Sequence, residues 1–430
     1  MQIWKWPLQK EIGAKPLDNR CIVFRMQKEI RTVANGTVTT PKGFVAGATY
    51  AGLKTYAKDK LDLALLVSEA PCSAAGVFTQ STIVSATVPL SKSRMATGHA
   101  RAIVVNSGCA NACVGPQGML DARAMAALAA KKAGVREDAV LVASTGMIGV
   151  ELPMAAIRSG LNKIKMHHDG GAEFARAIIT TDKAPKTAAV SITLDSKPCT
   201  IAAAAKGAGM IHPNMATMLC FVTTDAAVEP GALQWALKAA ADKTFNMITV
   251  DGDTSTNDMI VVLANGMAGN DLVRAETSEA ELLAEALEQV CLPLAKMIVK
   301  DGEGATKLME VRVEGAVSQD DARKAARTIV SSPLVKSAVH GADPNWGRVI
   351  AALGRSGAAL QESKTSLWIQ EVCVFDQGTP IPFHKEAART KMMEDDIVIV
   401  ARLGMGTHDA TAWGCDLSED YVRFNSEYST

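Results

Sequence analysis

The sequence predicts an α+β or layered α/β chain of two or three lobes. Three observations carry that expectation. Strand-like and helix-like runs intermix along the chain, with hairpins as well as crossovers between them. Its 430 residues exceed what one ordinary hydrophobic core organises. No fixed repeat period and no long linker divides it into an array. Hydrophobic residues make up 48% and charged residues 21%, a globular balance. Lys+Arg and Asp+Glu number 45 each, so no net field draws nucleic acid or an anionic membrane, and neither is expected as a partner. No apolar run approaches the roughly 18 residues of a membrane span. The nine scattered cysteines are expected as reduced thiols of a cytoplasmic protein. Cys109 and Cys113 form the one close pair, and nothing nearby completes a zinc site, so no metal is expected.

Residues 1–35 contain Trp4, Trp6 and Pro16 without the apolar core of a secretory signal, and read as an extension of unassigned role. Met26 is an alternative start. Leu61–Val67 and Gly76–Phe78 read as short buried strands, and Thr79–Val88, rich in β-branched residues, as another. The apolar strand Ala102–Val105 runs into the small residues of Asn106–Ala112. A helix capped by Asp121 follows and ends at Lys131, Lys132 and Gly134. Val140–Ala143 is the next buried strand, and Ser144-Thr145-Gly146-Met147-Ile148-Gly149 follows as a loop. A Thr hydroxyl beside a Gly N–H can supply two donors to an oxyanion. A plain turn is the alternative. Gly171–Ile179 reads as a helix, followed by Thr180-Thr181-Asp182-Lys183. Ala188–Leu194 and Thr200–Ala205 form a hairpin about the Ser196-Lys197-Pro198 turn. Lys206 is the one charge at the end of that apolar strand. It suits a substrate carboxylate, or it snorkels to water.

The hairpin leads into Gly207-Ala208-Gly209-Met210-Ile211-His212-Pro213-Asn214-Met215-Ala216-Thr217, a breaker-rich loop that enters the apolar run Met218–Asp225. Thr217 therefore stands where loop becomes strand. A Thr hydroxyl is a weak nucleophile and needs a base. A chain beginning at that Thr has one in its own α-amine, whose ordinary pKa is about 7.7–8.0. A cut between Ala216 and Thr217 would make the residue its own nucleophile–base pair. Ordinary strand chemistry of a β-branched residue is the alternative. His212, followed by proline, reads as a structural hydrogen-bonder.

Beyond the loop, a helix runs from Glu229-Pro230 to Lys243, and Phe245–Val250 reads as a strand. The polar run Asp251–Asp258 lacks the bidentate Glu of a calcium loop and reads as helix-capping side chains near the site. Ser278 with Glu281 makes a capping box for a helix to about Lys296. Glu303 lies between glycines on a bare loop, placed to receive an ammonium, or it is only a solvated charge. Leu308–Val313 is a strand and Ser318–Val330 a capped helix. Asp343 and Arg348 are expected as an ion pair before a helix at Val349–Leu353. Leu367–Phe375 and Ile397–Leu403 are strands joined by a helix near Lys385–Met393, and Cys415–Val422 is the last strand.

The string KGAGMIHPNMATMLCFVTTDA resembles the signature of the ornithine acetyltransferase family (glutamate N-acetyltransferases). Further similar strings, among them His340–Arg348, extend from about Gly36 to Thr430. The resemblance implies an α-β-β-α sandwich of the N-terminal-nucleophile-like, ornithine acetyltransferase type. It implies self-cleavage into residues 36–216 after the extension and residues 217–430, paired as an α2β2 heterotetramer. It assigns Thr217 as nucleophile, Thr145 and Gly146 as the oxyanion loop, and Lys206, Glu303, Asn425 and Thr430 to substrate. One of Thr180 and Thr181, with Thr180 preferred, joins them. Lys183 departs from the family's usual Thr at that edge. The implied reaction moves acetyl from N2-acetyl-ornithine to glutamate in arginine biosynthesis. No cofactor is needed, and acetyl-CoA is the alternative donor. An N-terminal-nucleophile aminopeptidase and an uncleaved amino-acid-binding protein are the rival readings.

Overall fold

The computed structural model describes residues 30–54, 60–212 and 218–427. Ala216, Thr217 and Thr430 lie outside the described residues, as does most of the expected extension. The architecture is an α+β sandwich of helices layered with two mixed sheets. The first sheet has nine strands. In chain order these are β1 (Arg31–Thr32), β2 (Phe44–Thr49), β3 (Leu63–Phe78), β4 (His99–Cys109), β5 (Val140–Met147), β6 (Lys186–Leu194), β7 (Lys197–Lys206), β8 (Leu219–Thr224) and, after β9 (Ile248–Thr249), β10 (Met259–Ala264). They lie in the order β1-β6-β7-β8-β10-β3-β4-β5, with β2 paired to β3. The β8–β10 and β4–β5 pairs are parallel. The second sheet adds β11 (Leu308–Ala316), β12 (Ser366–Ile369), β13 (Val372–Asp376), β14 (Thr379–Pro380), β15 (Asp396–Arg402) and β16 (His408–Cys415). Its order is β14-β13-β12-β15-β11-β16-β9.

The helices are α1 (Thr87–Met95), α2 (Pro116–Ala133), α3 (Met154–Lys163), α4 (Gly171–Ile178), α5 (Pro230–Lys243), α6 (Ser278–Lys300) and α7 (Gln319–Val330). Next come α8 (Pro333–His340), α9 (Trp346–Gly354), α10 (Lys385–Lys391) and α11 (Glu419–Glu427). One face of the first sheet carries α2 and α3 over β3–β5, and α5 and α6 over β6–β8 and β10. The other face encloses α4, which touches both β4 and β7. There Phe174 meets Phe221 edge-on, ring centroids 5.5 Å apart. Strands covered on both faces read as continuous apolar runs. That explains Ala202-Ala203-Ala204-Ala205 and Ile260-Val261-Val262-Leu263, all buried. Helix α6 packs on both sheets and joins their cores.

Several local expectations are corrected. Thr79–Val88 is no strand: residues 79–86 are irregular and Thr87 opens α1. The two short strands expected within Leu61–Phe78 are one strand, β3, with its register shifted between Val67 and Cys72. Helix α2 starts at Pro116, and Asp121 lies inside it, accepting from Gln117. A proline at the first turn gives up only an N–H with no helical partner. Phe245–Met247 is a 3₁₀ turn, and only Ile248–Thr249 pairs as a strand. Asp251–Asp258 leads into β10 and caps no helix. Thr277, accepting from Ala280 N, caps α6 in place of Ser278. Asp343 and Arg348 do not pair: Arg348 donates to the Leu334 carbonyl, and Asp343 accepts from Asn345. Leu367–Phe375 is a hairpin of β12 and β13. The last described residues form strand β16 followed by helix α11, where a single strand at Cys415–Val422 was expected.

Candidate active site

Strand β7 ends at Lys206, and the residues after it turn sharply: Gly207 has φ 155°. Beside this turn lies a cavity of about 430 Å³. Thr145, Gly146, Thr180, Thr181, Lys206, Glu303 and Asn425 all line it. They come from strand β5, the loop after α4, the end of β7, the loop after α6, and helix α11. The sheet order and the α6 and α11 packing are what bring these distant stretches together.

Thr145 and Gly146 sit at the end of β5, inside the strand rather than in a loop past it. Gly146 has φ 129°, and a Cβ there would lie 2.3 Å from the Gly108 carbonyl carbon of β4. Only glycine permits that close strand approach. Buried Lys206 donates to Thr145 Oγ1 at 3.3 Å. With its oxygen accepting there, the Thr145 hydroxyl proton is left for another acceptor.

Asp182 anchors the Lys206 side of the cavity. Its Oδ1 accepts from Lys186 Nζ and from Gly207 N, both at 2.7 Å, and its Oδ2 accepts from Thr180 N at 3.1 Å. Burial works to raise its pKa, but the Lys206 and Lys186 charges and these hydrogen bonds hold the carboxylate below the ordinary range. Lys186 also pairs with Asp301 at 2.5 Å, tying α6 to the same cluster. Lys54 is buried next to this group, and burial lowers its pKa to about 8.

Glu303 forms the opposite pole. It is buried, not displayed on a bare loop. Gly209 packs so tightly on it that an added Cβ would lie 2.4 Å from the carboxylate. Asn425 Nδ2 donates to Glu303 Oε2 at 3.1 Å. Burial and the Asp251 charge raise the Glu303 pKa against hydrogen bonds from Thr181 and Asn425. Asp251 clamps the incoming loop, accepting from Met210 N at 2.6 Å and Ile211 N at 2.9 Å. His212 is held by Thr249 Oγ1 and Arg327 Nη2, each at 3.0 Å. Burial and Arg327 lower its pKa to about 4, which suits a structural role.

Sequence reasoning missed Asp182, Asp251 and Tyr421 at this site. Asp182 and Asp251 stand within the Thr-Thr-Asp and Asp-Gly-Asp strings already singled out, but their burial is invisible along the chain. Among the described residues, no group of three or more His, Cys, Asp or Glu side chains is placed to hold a metal. No helix among them is long and apolar enough to cross a membrane.

Comparison with known proteins places this geometry in context. A family model described as the ArgJ family matches residues 45–430. An arginine biosynthesis bifunctional protein ArgJ of Symbiobacterium thermophilum is 52% identical over 397 residues, covering 92% of this chain and 99% of that protein. The protein of the same name from Dehalococcoides mccartyi is 48% identical, covering 94% and 100%. A crystal structure of ArgJ from Bacillus halodurans is 47% identical and covers 48% of this chain and 98% of its own, with TM-score 0.47. An ornithine acetyltransferase from Mycobacterium tuberculosis, solved with ornithine, is 39% identical over 43% of this chain and 99% of its own, with TM-score 0.41. With a family model spanning most of its length and relatives this similar end to end, the chain belongs to the ArgJ family of arginine biosynthesis proteins.

Proposed function

We propose that this chain is a glutamate N-acetyltransferase that moves acetyl from N2-acetyl-ornithine to glutamate through an acetyl-Thr217 ester. The observation that carries the reading is that Lys206, a cation, and Glu303, a carboxylate, both stand in the wall of one cavity of about 430 Å³. An N-acetylated amino acid and a free amino acid each carry a carboxylate for the first. The free amino acid brings an ammonium for the second. Family membership supports the choice of acetyl donor and acceptor.

The chain first cuts itself between Ala216 and Thr217, giving fragments 1–216 and 217–430 that stay paired and assemble as α2β2. In the first half-reaction the freed α-amine takes the Thr217 Oγ proton, and Oγ bonds to the acetyl carbonyl carbon. Thr145 and the Gly146 backbone receive the oxyanion. The C–N bond then breaks, and the ammonium proton leaves with ornithine. In the second half the glutamate amine attacks the ester, the C–Oγ bond breaks, and the proton returns to Oγ. Lys206, Glu303, Asn425, Thr430 and the Thr180/Thr181 pair orient the amino acids, a contribution worth up to about 7–11 kcal/mol of barrier. The chemistry needs no cofactor, and acetyl-CoA is a second donor for the same ester. The setting is the cytoplasm, which agrees with the free thiols found among the described cysteines.

Denaturing gels and end-group sequencing test this directly. Active protein is expected to show two bands, one beginning Thr-Met-Leu-Cys. The Thr217→Ala variant is expected as one uncut chain without transfer. A single band in active wild-type protein refutes the reading.

A further inference from the structure

Glu303 stands on the stretch between α6 and β11, and bonds from other parts of the fold hold that stretch in place. Glu303 N donates to Ala208 O at 2.9 Å, and Ser418 Oγ donates to Gly304 O at 2.6 Å. Asp416 Oδ1 accepts from Thr306 N at 2.8 Å and Lys307 N at 2.9 Å, and its Oδ2 accepts from Thr306 Oγ1 at 2.6 Å. The ring of His340 completes this set, its Nδ1 lying 2.7 Å from the same Oδ2. Burial works to raise the Asp416 pKa, but the hydrogen bonds from Thr306, His340 and Lys307 hold it below the ordinary range. An ionised carboxylate only accepts, so Nδ1 is the donor. The other ring nitrogen, Nε2, lies 3.3 Å from Glu419 Oε2 in the first turn of α11. The residues after His340 close α8 behind it. Ala342, at φ 49°, donates its N–H to Val339 O at 3.2 Å, and Asp343 N donates to Ala338 O at 2.8 Å. That pattern is a Schellman turn. The His340–Arg348 string, which the transfer chemistry leaves unused, thus ends a helix on a side chain that faces Asp416.

We propose that His340 is a positioning residue of the amino-acid site, acting through Asp416 to hold the Glu303 carboxylate where it meets the ammonium of the free amino acid. The assignment rests on the transfer reaction proposed above and concerns a residue that touches no substrate in it. The Asp416 side chain is 0% exposed, so a donor removed from it leaves a buried acceptor short of a bond. The carboxylate then turns toward another donor or water and carries Thr306, and the Glu303 stretch, with it. Glu303 tolerates little displacement, because Gly209 packs against its carboxylate without room for a methyl group. Its hydrogen bonds also weaken steeply as they lose alignment. The second contact of the ring matters less. Glu419 is 92% exposed, and an ion pair with so wet a partner contributes little. The buried bond to Asp416 is therefore the one that transmits the effect.

Steady-state transfer with glutamate varied tests this on His340→Ala, His340→Asn and His340→Gln of the full chain. His340→Ala is expected to raise KM for glutamate about tenfold with kcat within about twofold. Loss of folded protein alone would lower kcat and leave KM where it is. The asparagine amide places an N–H where Nδ1 stands, facing Asp416, and the glutamine amide places one where Nε2 stands, facing Glu419. H340N is therefore expected to bring KM back to within about twofold of wild type, and H340Q to stay with the alanine variant. In a Glu303→Gln background, H340A is expected to add nothing further to KM, because its effect passes through that carboxylate. An unchanged KM in H340A, asparagine and glutamine variants that behave alike, or an undiminished effect in the E303Q background overturns the proposal and leaves the transfer reaction standing. Wild-type protein that transfers no acetyl to glutamate overturns both. Where H340A does not accumulate as folded protein, the contrast between H340N and H340Q decides by itself.

Discussion

At the scale of the residue, the site depends on side chains that are absent as much as on those present. Gly209 is the clearest case. Its φ is not in the left-handed region, so alanine fits its backbone, yet the added methyl would sit 2.4 Å from the Glu303 carboxylate. Something must move, and the carboxylate is the end of a side chain that also accepts from Asn425. Gly209→Ala therefore tests the Glu303 pole without touching any proposed reacting group. It is expected to raise KM for the amino-acid acceptor about tenfold or more, the effect of losing one charge-assisted hydrogen bond of about 1.5–3 kcal/mol. The melting temperature and the self-cleavage are expected to stay close to wild type. Steady-state kinetics with glutamate varied read the effect, and an unchanged KM would show that Glu303 does not hold the acceptor. The same reasoning separates Gly146, where both the φ of 129° and the Gly108 carbonyl forbid a side chain. There a substitution disturbs the β4–β5 pairing itself and says little about chemistry.

At the scale of the element, Asp182 joins four pieces: the loop after α4 that it belongs to, the start of β6 through Lys186, the end of β7 through Gly207, and α6 through the shared Lys186–Asp301 pair. Breaking a buried ion pair leaves a charge without its partner and costs about 3–5 kcal/mol. Asp182→Ala is expected to lose that much at pH 7 in urea unfolding of the otherwise intact protein. The sign of the pH dependence follows from the direction of the shift. Folding lowers the Asp182 pKa, so the contribution is present above the unfolded value of about 3.9 and is lost as pH falls through the folded value. The gap between wild type and variant should be full at pH 7 and narrow once pH drops below about 3.9; a gap of constant size would contradict the ionised pairing. This cluster also shows where sequence reading stops. Elements with a clean local signal were legible: the Ala-rich strand β7, the helix α5 after Glu229-Pro230, and α7 behind its Ser318 cap, which accepts from Asp321 N. Elements decided by tertiary contact were not. Val88 is β-branched yet buried in α1, and the apolar Tyr421 and Val422 suggested a strand where acidic Glu419 and Asp420 open helix α11. That helix is what carries Asn425 to Glu303. The candidate site was readable as a set of similar strings, whereas the burial that makes Asp182 and Asp251 electrostatically active exists only after folding.

At the scale of the whole molecule, the proposed cut separates β7 from β8 along the chain, in a first sheet to which both sides of the cut contribute strands. Strand β7 precedes residue 217 and pairs with β8, which follows it. Strand β10, from the later part, lies between β8 and β3, and β3 is from the earlier part. The order β7-β8-β10-β3 thus places two strands of the second fragment between strands of the first. Helix α6 of the second fragment covers β6 and β7 of the first. The second sheet lies wholly within residues 217–430, but neither fragment holds the complete first sheet, and each would expose faces that are buried in the joined molecule. Scission of one peptide bond between β7 and β8 in the chain removes none of these contacts. The two fragments are therefore expected to co-migrate in native size-exclusion chromatography while separating on a denaturing gel. They should unfold in urea as one cooperative transition, and each fragment expressed alone should fail to fold. Recovery of a stably folded fragment 217–430 by itself would show that the interleaved strands are not what holds the halves together.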